Sequence, residues 1–278
     1  MANCNSCPSN NSCSKDKEKC MTENNPMNNI KNVIGVMSGK GGVGKSTISV
    51  MLAKQLRKLG YKVGVLDADI TGPSVPRLLG VKDKKAEATD KCIVPIETED
   101  GIKVMSLNLL IEDENQPVIW RGPVISGAVK QFWTDVIWEE LDYLIIDMPP
   151  GTGDVALTVM QSIPINGLVM VSVPQDLVSM IVSKAVNMAK KMDIKVLGVV
   201  ENMSYIVCPD CNKKTKLFNG ENVSDFLKES DLQLLGELPM TSTICNLANC
   251  DYENSSESLD ELFNPIVKNI LKRLEEVK

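Results

Sequence analysis

The chain has 278 residues, of which 43% are hydrophobic, 24% charged and 4% aromatic, the make-up of one globular domain with a full core. It contains no histidine, which excludes Ser-His-Asp and Cys-His catalysis, His-ligated zinc and H-E-x-x-H proteases, so a metal must sit on cysteine or carboxylate. Thirty Lys and Arg against thirty-six Asp and Glu give a net charge of −6, a field that repels polyanions and offers no basic footprint for nucleic acid.

Residues 1–32 are rich in Asn, Ser, Lys and Cys and nearly free of large apolar side chains, which predicts a flexible cysteine-containing tail unless a metal organises it. Met1 to Cys20 lack the basic and apolar regions of a secretory signal. No apolar run approaches the roughly 18 residues of a membrane span, so a cytoplasmic protein with no membrane partner is expected. Nine cysteines, odd in number and clustered, then read as metal ligands or free thiols rather than as a disulfide framework.

Over 33–278 short β-branched runs alternate with longer stretches of helical period, which predicts one α/β domain, a mostly parallel sheet flanked by helices on both faces. Strands are expected at 33–38, 62–67, 143–147, 167–173 and 194–200, and helices at 45–59, 123–140 and 176–192. Ile93 to Leu107, with turn residues Asp100-Gly101, reads as a hairpin inserted at a sheet edge. Met180, Met188 and Met192 read as gap-filling side chains on a buried helix. Near the end, Leu259, Leu262, Phe263, Ile266, Val267, Ile270, Leu271 and Leu274 follow helical spacing. The opposite face mixes Asp260, Glu275 and Glu276 with Lys268, Lys272 and Arg273, which favours core packing over an anionic membrane.

Directly after the first strand, Gly39-Lys40-Gly41-Gly42-Val43-Gly44-Lys45-Ser46-Thr47 satisfies G-x-x-x-x-G-K-[ST] in a strand-to-helix setting, the mark of a P-loop NTPase. Glycines let the backbone wrap a phosphate chain and aim its N–H groups inward. Lys45 places a point charge near the β and γ oxygens, and Ser46 offers a hydroxyl to Mg2+ at the positive end of a helix. Lys40 is either a solvated loop charge or a group directed at a second nucleotide across a dimer. Two strands end in acids: Val63-Gly64-Val65-Leu66 runs into Asp67-Ala68-Asp69, and Tyr143-Leu144-Ile145-Ile146 runs into Asp147, followed by Pro149-Pro150-Gly151. Asp147 fits the acid that holds Mg2+-bound water, Asp69 one that positions the attacking water, and the Gly151 N–H a donor to the γ-phosphate. The plainer reading makes each acid a helix cap.

Five motifs in order then resemble one family. They are the phosphate loop, Asp67-Ala68-Asp69-Ile70-Thr71-Gly72-Pro73-Ser74, Asp147-Met148-Pro149-Pro150-Gly151-Thr152-Gly153-Asp154, Glu201-Asn202-Met203-Ser204 and Cys208-Pro209-Asp210-Cys211. Together they resemble the Mrp/ApbC family of iron–sulfur cluster carrier ATPases, within the deviant Walker-A group that includes MinD and ParA. The likeness spans about Ile34 to Pro239. It implies that Lys40 contacts nucleotide across a homodimer, that Asp69 lies in switch I as the water-activating acid, and that Asp147 is the Walker-B acid of switch II. It further implies that Asn202 contacts adenine, and Pro239 is grouped with the nucleotide-binding residues. No [NT]-K-x-D tetrapeptide that reads guanine occurs, so ATP is favoured over GTP.

Cys208 and Cys211 supply two thiolates, whereas a tetrahedral zinc or a [4Fe-4S] cluster ordinarily takes four. A two-fold dimer brings the same patch from both subunits together and supplies the missing pair, which agrees with the bridging, transferable cluster that the resemblance implies. A structural zinc and a dithiol redox pair are the alternatives. In the tail, Cys4, Cys7, Cys13 and Cys20 form C-x2-C-x5-C-x6-C. Longer members of the family carry a cluster with one cysteine upstream of a C-x2-C-x5-C core; here that cysteine is absent and Cys20 lies downstream. The tail thus reads as a second iron–sulfur site or as a disordered or adventitiously zinc-binding segment. Cys92, Cys245 and Cys250 have no partner at ligand spacing and read as small buried hydrophobes.

The leading function is an ATP-hydrolysing homodimer that assembles a [4Fe-4S] cluster and passes it to apo-proteins. A MinD- or ParA-like positioning ATPase and a nucleotide-binding scaffold with structural zinc compete with it. An electron-transferring reductase resembling the nitrogenase iron protein fails on residue content, because no cysteine lies between Cys92 and Cys208.

Overall fold

The computed structural model describes residues 21–70, 72–89, 92–111, 120, 122–174, 176–216, 227, 230–241, 244 and 252–277. In chain order the elements are β1 (Asn29–Ile30), β2 (Val33–Ser38), α1 (Lys45–Lys58), β3 (Val63–Asp67), α2 (Val75–Leu78), β4 (Glu87–Ala88), β5 (Ile93–Val94), β6 (Ile96–Glu97), β7 (Lys103–Met105) and α3 (Gly122–Thr134). They continue with β8 (Glu140–Leu141), β9 (Tyr143–Asp147), α4 (Asp154–Ser162), β10 (Gly167–Ser172), α5 (Asp176–Lys191), β11 (Val196–Val207), β12 (Lys214–Lys216), β13 (Leu234–Pro239) and α6 (Tyr252–Val277).

The continuous apolar runs of β2, β9 and β10 are buried along nearly their whole length, as strands covered on both faces require. Parallel pairing orders the sheet β13-β11-β10-β2-β9-β3-β7, with antiparallel β12 on the far end of β11 and antiparallel β6 on β7. Strand β9 enters between β2 and β3, so Asp147 sits in register beside Val36 on one side and Asp67 on the other. The carboxyl ends of these three strands make the crevice where parallel α/β sheets bind ligands. Helices α1 and α6 pack on each other and on the sheet, α3 packs on α4, and α5 lies against β10 and β11.

The five expected strands and the helices at 45–59 and 176–192 are present, with ends shifted by a few residues. The expected strand ending at Val200 runs on to Val207, because buried Glu201 accepts from Ser204 Oγ and the Asn202 amide nitrogen donates to Val43 O inside the protein. The helix expected over 123–140 stops at Thr134. Beyond it Trp138 is fully buried, Glu139 takes a left-handed φ of 56°, and Glu140–Leu141 becomes a strand. The hairpin at the sheet edge is β6 and β7, turning at Gly101 with φ 82°, whereas Ile93–Val94 leaves to pair with β4. Sequence reading did not find α2, α4, β12 or β13, whose runs are short or lack a clean period.

The tail expected over 1–32 is shorter on its ordered side. Residues 1–20, with Cys4, Cys7, Cys13 and Cys20, lie outside the described residues, but Thr22 to Asn32 are fastened to the domain. The Thr22 N–H donates to the Ser162 carbonyl at 3.2 Å, and Trp133 Nε1–H donates to the Thr22 carbonyl at 3.0 Å. Asn28 Nδ2 donates to Val136 O at 2.9 Å, β1 pairs in parallel with β8, and Asn32 is buried. Backbone groups and asparagine amides make these ties, and composition counts both only as polarity.

Helix α6 resolves the question of its apolar stripe. Leu259, Phe263, Ile266, Val267, Ile270 and Leu274 are buried in the core, with Ile266 closing on the bare backbone of Gly236 in β13. Lys58 of α1 pairs with Asp260 at 2.7 Å, and Asn269 Nδ2 donates to Leu235 O at 2.9 Å. That stripe is therefore core, as its mixed-charge outer face suggested. Met192 is likewise buried and Met188 partly so, while the Met180 side chain lies outside the described residues.

Candidate functional site

The loop between β2 and α1 turns on Gly42 and Gly44, with φ of 79° and 84°, conformations that glycine alone adopts without strain. It borders a cleft of about 370 Å³ lined by Ser38, Gly41, Gly42, Gly44, Lys45, Ser46, Thr47, Asp69, Gly72, Ser74, Arg77, Leu78 and Pro150. The α1 N-terminus opens into this cleft at Lys45 with no acidic residue in its first turn, so the helix dipole there is unneutralised by its own side chains.

Asp147, fully buried, organises the loop. Its Oδ2 accepts from Lys45 Nζ at 2.7 Å and Ser46 Oγ at 2.6 Å, and its Oδ1 accepts from Ser49 Oγ at 2.6 Å. Asp69 Oδ2 lies 3.7 Å from Lys45 Nζ. The predicted acids and the P-loop lysine therefore converge at one point. Ser49 escaped the sequence reading; its only signal was a small polar residue one helical turn after Lys45.

Asp67 is the second missed member. It is fully buried, accepts from the Val75 N–H and Ser106 Oγ, each at 3.3 Å, and lies in register with Asp147. Burial and the Asp147 carboxylate push its carboxyl well above the usual carboxylate range, with Lys45 opposing. A carboxyl whose pKa rises on folding contributes stability below its unfolded pKa, and loses it as pH climbs through the folded value. Asp67→Asn is therefore expected to raise the thermal midpoint of nucleotide-free protein at pH 8, with the gain shrinking toward pH 5. Equal effects at both pH values would disprove a titrating Asp67.

Several expected contacts are placed elsewhere. The Gly151 N–H donates to the Ser38 carbonyl at 2.8 Å instead of facing the cleft, because the turn after Pro149-Pro150, with φ 78° at Gly151, folds back on β2. Asn202 is 1% exposed and its Nδ2 donates to the Val43 carbonyl at 2.9 Å, so it stands behind the loop. Pro239 is buried beside Tyr205 at the end of β13. Neither residue lines the cleft. Lys40 is half-exposed and also absent from the lining, and Ser38 Oγ donates to its carbonyl at 2.9 Å. Gly39 passes 3.7 Å from where a Gly151 Cβ would stand.

Cys208 and Cys211 occupy the turn joining β11 to β12. The turn closes by Cys208 N–H donating to Lys213 O at 3.1 Å and Asn212 N–H donating to Cys208 O at 2.9 Å. Cys211 is exposed and Cys208 half-exposed. The Cys211 and Asp210 backbone N–H groups point at the Cys208 sulfur and hold its thiol below the ordinary range. No helix begins here; turn amides supply what a helix N-terminus would, which spacing alone does not reveal. Among the described residues no group of three or more Cys, Asp or Glu has metal-holding geometry. Cys92 is half-exposed, its sulfur 3.3 Å from Thr89 Oγ1, which corrects its reading as a buried hydrophobe; Cys245 and Cys250 lie outside the described residues.

A glycine-rich loop between a central parallel strand and its helix, with an acid-ended neighbouring strand holding the loop lysine, defines a P-loop NTPase. Residues 29–275 match the family model described as ParA: NUBPL iron-transfer P-loop NTPase, and the chain belongs to that family. An iron-sulfur cluster carrier protein of Clostridium perfringens is 54% identical over 254 residues, covering 86% of this chain and 89% of its own. A cytosolic Fe-S cluster assembly factor, a Nubp2 homolog of Drosophila ananassae, is 44% identical, covering 89% and 95%. Among solved structures, a nucleotide-binding protein of Archaeoglobus fulgidus in complex with ADP shares 44% identity at a TM-score of 0.70, over 79% of this chain and 86% of that one. The MinD cell division ATPase of Pyrococcus furiosus, 18% identical with a TM-score of 0.61 over 87% and 99%, shares the fold.

Proposed function

We propose that the protein is an ATP-hydrolysing carrier that assembles an iron–sulfur cluster between two copies of the chain and transfers it to apo-proteins. The observation that carries this reading is a two-thiol turn on the strand that also contacts the phosphate loop. Relatives of closely similar length named as carriers and assembly factors support it.

The residues at the cleft fit a Mg2+-nucleotide. Loop glycines without side chains leave room for phosphates, Lys45 carries the charge, Ser46 would supply a hydroxyl to Mg2+, and Asp147 would hold the ion through water. The ion would neutralise charge developing between the β- and γ-phosphates. We assign Asp69, which lines the same cleft, to orienting the attacking water, and Lys40 to contacting the second nucleotide across a dimer.

The cluster is cargo. Amides aimed at Cys208 favour its thiolate, the form that binds iron, and exposure of Cys211 leaves the cargo reachable by a recipient. Two-fold pairing completes four thiolates of a [4Fe-4S] cluster, and residues 1–20 are proposed to hold a second one. No described helix is long and apolar enough to cross a membrane. We place the protein in the cytoplasm, with neither nucleic acid nor membrane among its partners. The test is anaerobic reconstitution of the full chain, with iron, sulfide and zinc counted per dimer by metal analysis and the cluster type read by Mössbauer spectroscopy. A monomer that holds zinc and no iron would replace the carrier by a scaffold.

A further inference from the structure

Strand β11 touches both ends of the proposed machine. At Ser172↔Glu201 it is in register with β10, and at Tyr205 to Val207 it pairs with β12, whose connecting turn carries the two cysteines. Between these stretches its pairing with β13 shifts register from Glu201 to Tyr205, and Met203 takes a left-handed φ of 53°. A non-glycine residue there is a strained point that the surroundings must hold. Asn202 stands at the start of this irregular stretch.

Its contact is with the Val43–Gly44 peptide of the phosphate loop. Across a trans peptide the carbonyl of Val43 and the N–H of Gly44 point in opposite directions, and the chain has no cis bonds among the described residues. Asn202 Nδ2 binds that carbonyl at 2.9 Å, while Gly44 borders the cleft on the other side. A phosphate bound by the Gly44 N–H therefore pulls on the same peptide plane whose carbonyl Asn202 holds. The fit is close: a Cβ on Gly44 would stand 2.3 Å from Asn202 Nδ2. Asn202 Oδ1 is buried without a hydrogen-bond partner, so the amide is tied through its nitrogen to the loop. On the strand's other flank, Ser204 Oγ donates to Glu201 Oε2 at 2.7 Å, and Glu201 faces Glu237 of β13.

We propose that Asn202 is the positioning residue through which the phosphate loop sets the geometry of the Cys208–Cys211 turn, six residues further along β11 and at most roughly 20 Å away. The proposal rests on the carrier reading of those cysteines. By linkage the coupling is reciprocal, so metal at the turn alters nucleotide affinity by the same factor that nucleotide alters metal affinity.

The test uses metal-free full-length protein and the rate at which Cys208 and Cys211 are alkylated, located by peptide mass spectrometry. Rates are compared without nucleotide and with the Mg2+ complex of a non-hydrolysable ATP analogue, at a concentration shown to saturate each variant. Wild type is expected to change rate by several-fold as nucleotide shifts the turn between geometries. Asn202→Ala should bring that ratio to within about twofold of unity, whereas Ser204→Ala, which disturbs the same bulge without touching the loop, should keep it. If circular dichroism shows Asn202→Ala unfolded, Asn202→Ser carries the comparison. A wild-type ratio near one, or an Asn202 variant that keeps the wild-type ratio, overturns the proposal. The assay contains no iron, so its outcome is independent of whether reconstitution finds a cluster.

Discussion

Lys45→Ala is expected to lower nucleotide hydrolysis by about a hundred- to a thousand-fold, the usual cost of removing one preorganised charge from a developing anion. Lys45 Nζ sits 2.7 Å from Asp147 and 3.7 Å from Asp69, and the side chain is 6% exposed. No other cation among the residues lining the cleft comes from the loop itself; Arg77 enters from α2. The substitution also strips a buried carboxylate of its counter-charge, a loss of about 3–5 kcal/mol in comparable pairs. A drop in turnover has to be separated from a drop in folded protein. Lys45→Gln keeps a hydrogen-bond donor for Asp147 and lacks the charge, so it should fold better than the alanine variant while remaining as inactive. Measured phosphate release near the wild-type rate in either folded variant would remove this lysine from the site.

The second large effect concerns the cargo. Cys208→Ser combined with Cys211→Ser is expected to abolish iron and sulfide at the turn. In a two-fold assembly each substitution removes two of four ligands, so Cys208→Ser alone should be nearly as damaging as the pair. That steepness separates a bridging cluster from a site in which each chain binds its own metal, where one lost ligand weakens affinity in steps. Residues 1–20 hold four cysteines that complicate the count, so the measurement is repeated on protein lacking them; the ties that begin at Thr22 survive this removal. Full iron and sulfide per dimer in the doubly substituted, shortened protein would show that the ligands lie elsewhere.

The phosphate loop was legible in the sequence because its function needs a contiguous run of residue types, and contiguity survives without tertiary knowledge. Asp147 was legible too, since a buried strand ending in an acid is itself a local pattern. Asp67 was visible as a strand-ending acid but not as a partner of Asp147, because β9, which separates β2 from β3, lies far along the chain. Ser49 gave a weaker hint, one turn into a helix. Gly151 shows the opposite failure: its place after two prolines suggested a phosphate donor, yet the turn spends its N–H on Ser38.

Composition, period and spacing alone determined that this chain is a parallel α/β P-loop protein with a two-cysteine C-x-x-C and an amphipathic C-terminal helix. These properties are local, set by residues near one another in sequence. Only the tertiary structure decided that Thr22 to Asn32 are fastened to the domain, that Asp69 and Asp147 flank one lysine, and that Asn202 binds the Val43 carbonyl behind the phosphate loop. Each arises where strands distant in sequence are brought into register, and burial in that register turns polar residues into partners that a linear pattern cannot pair.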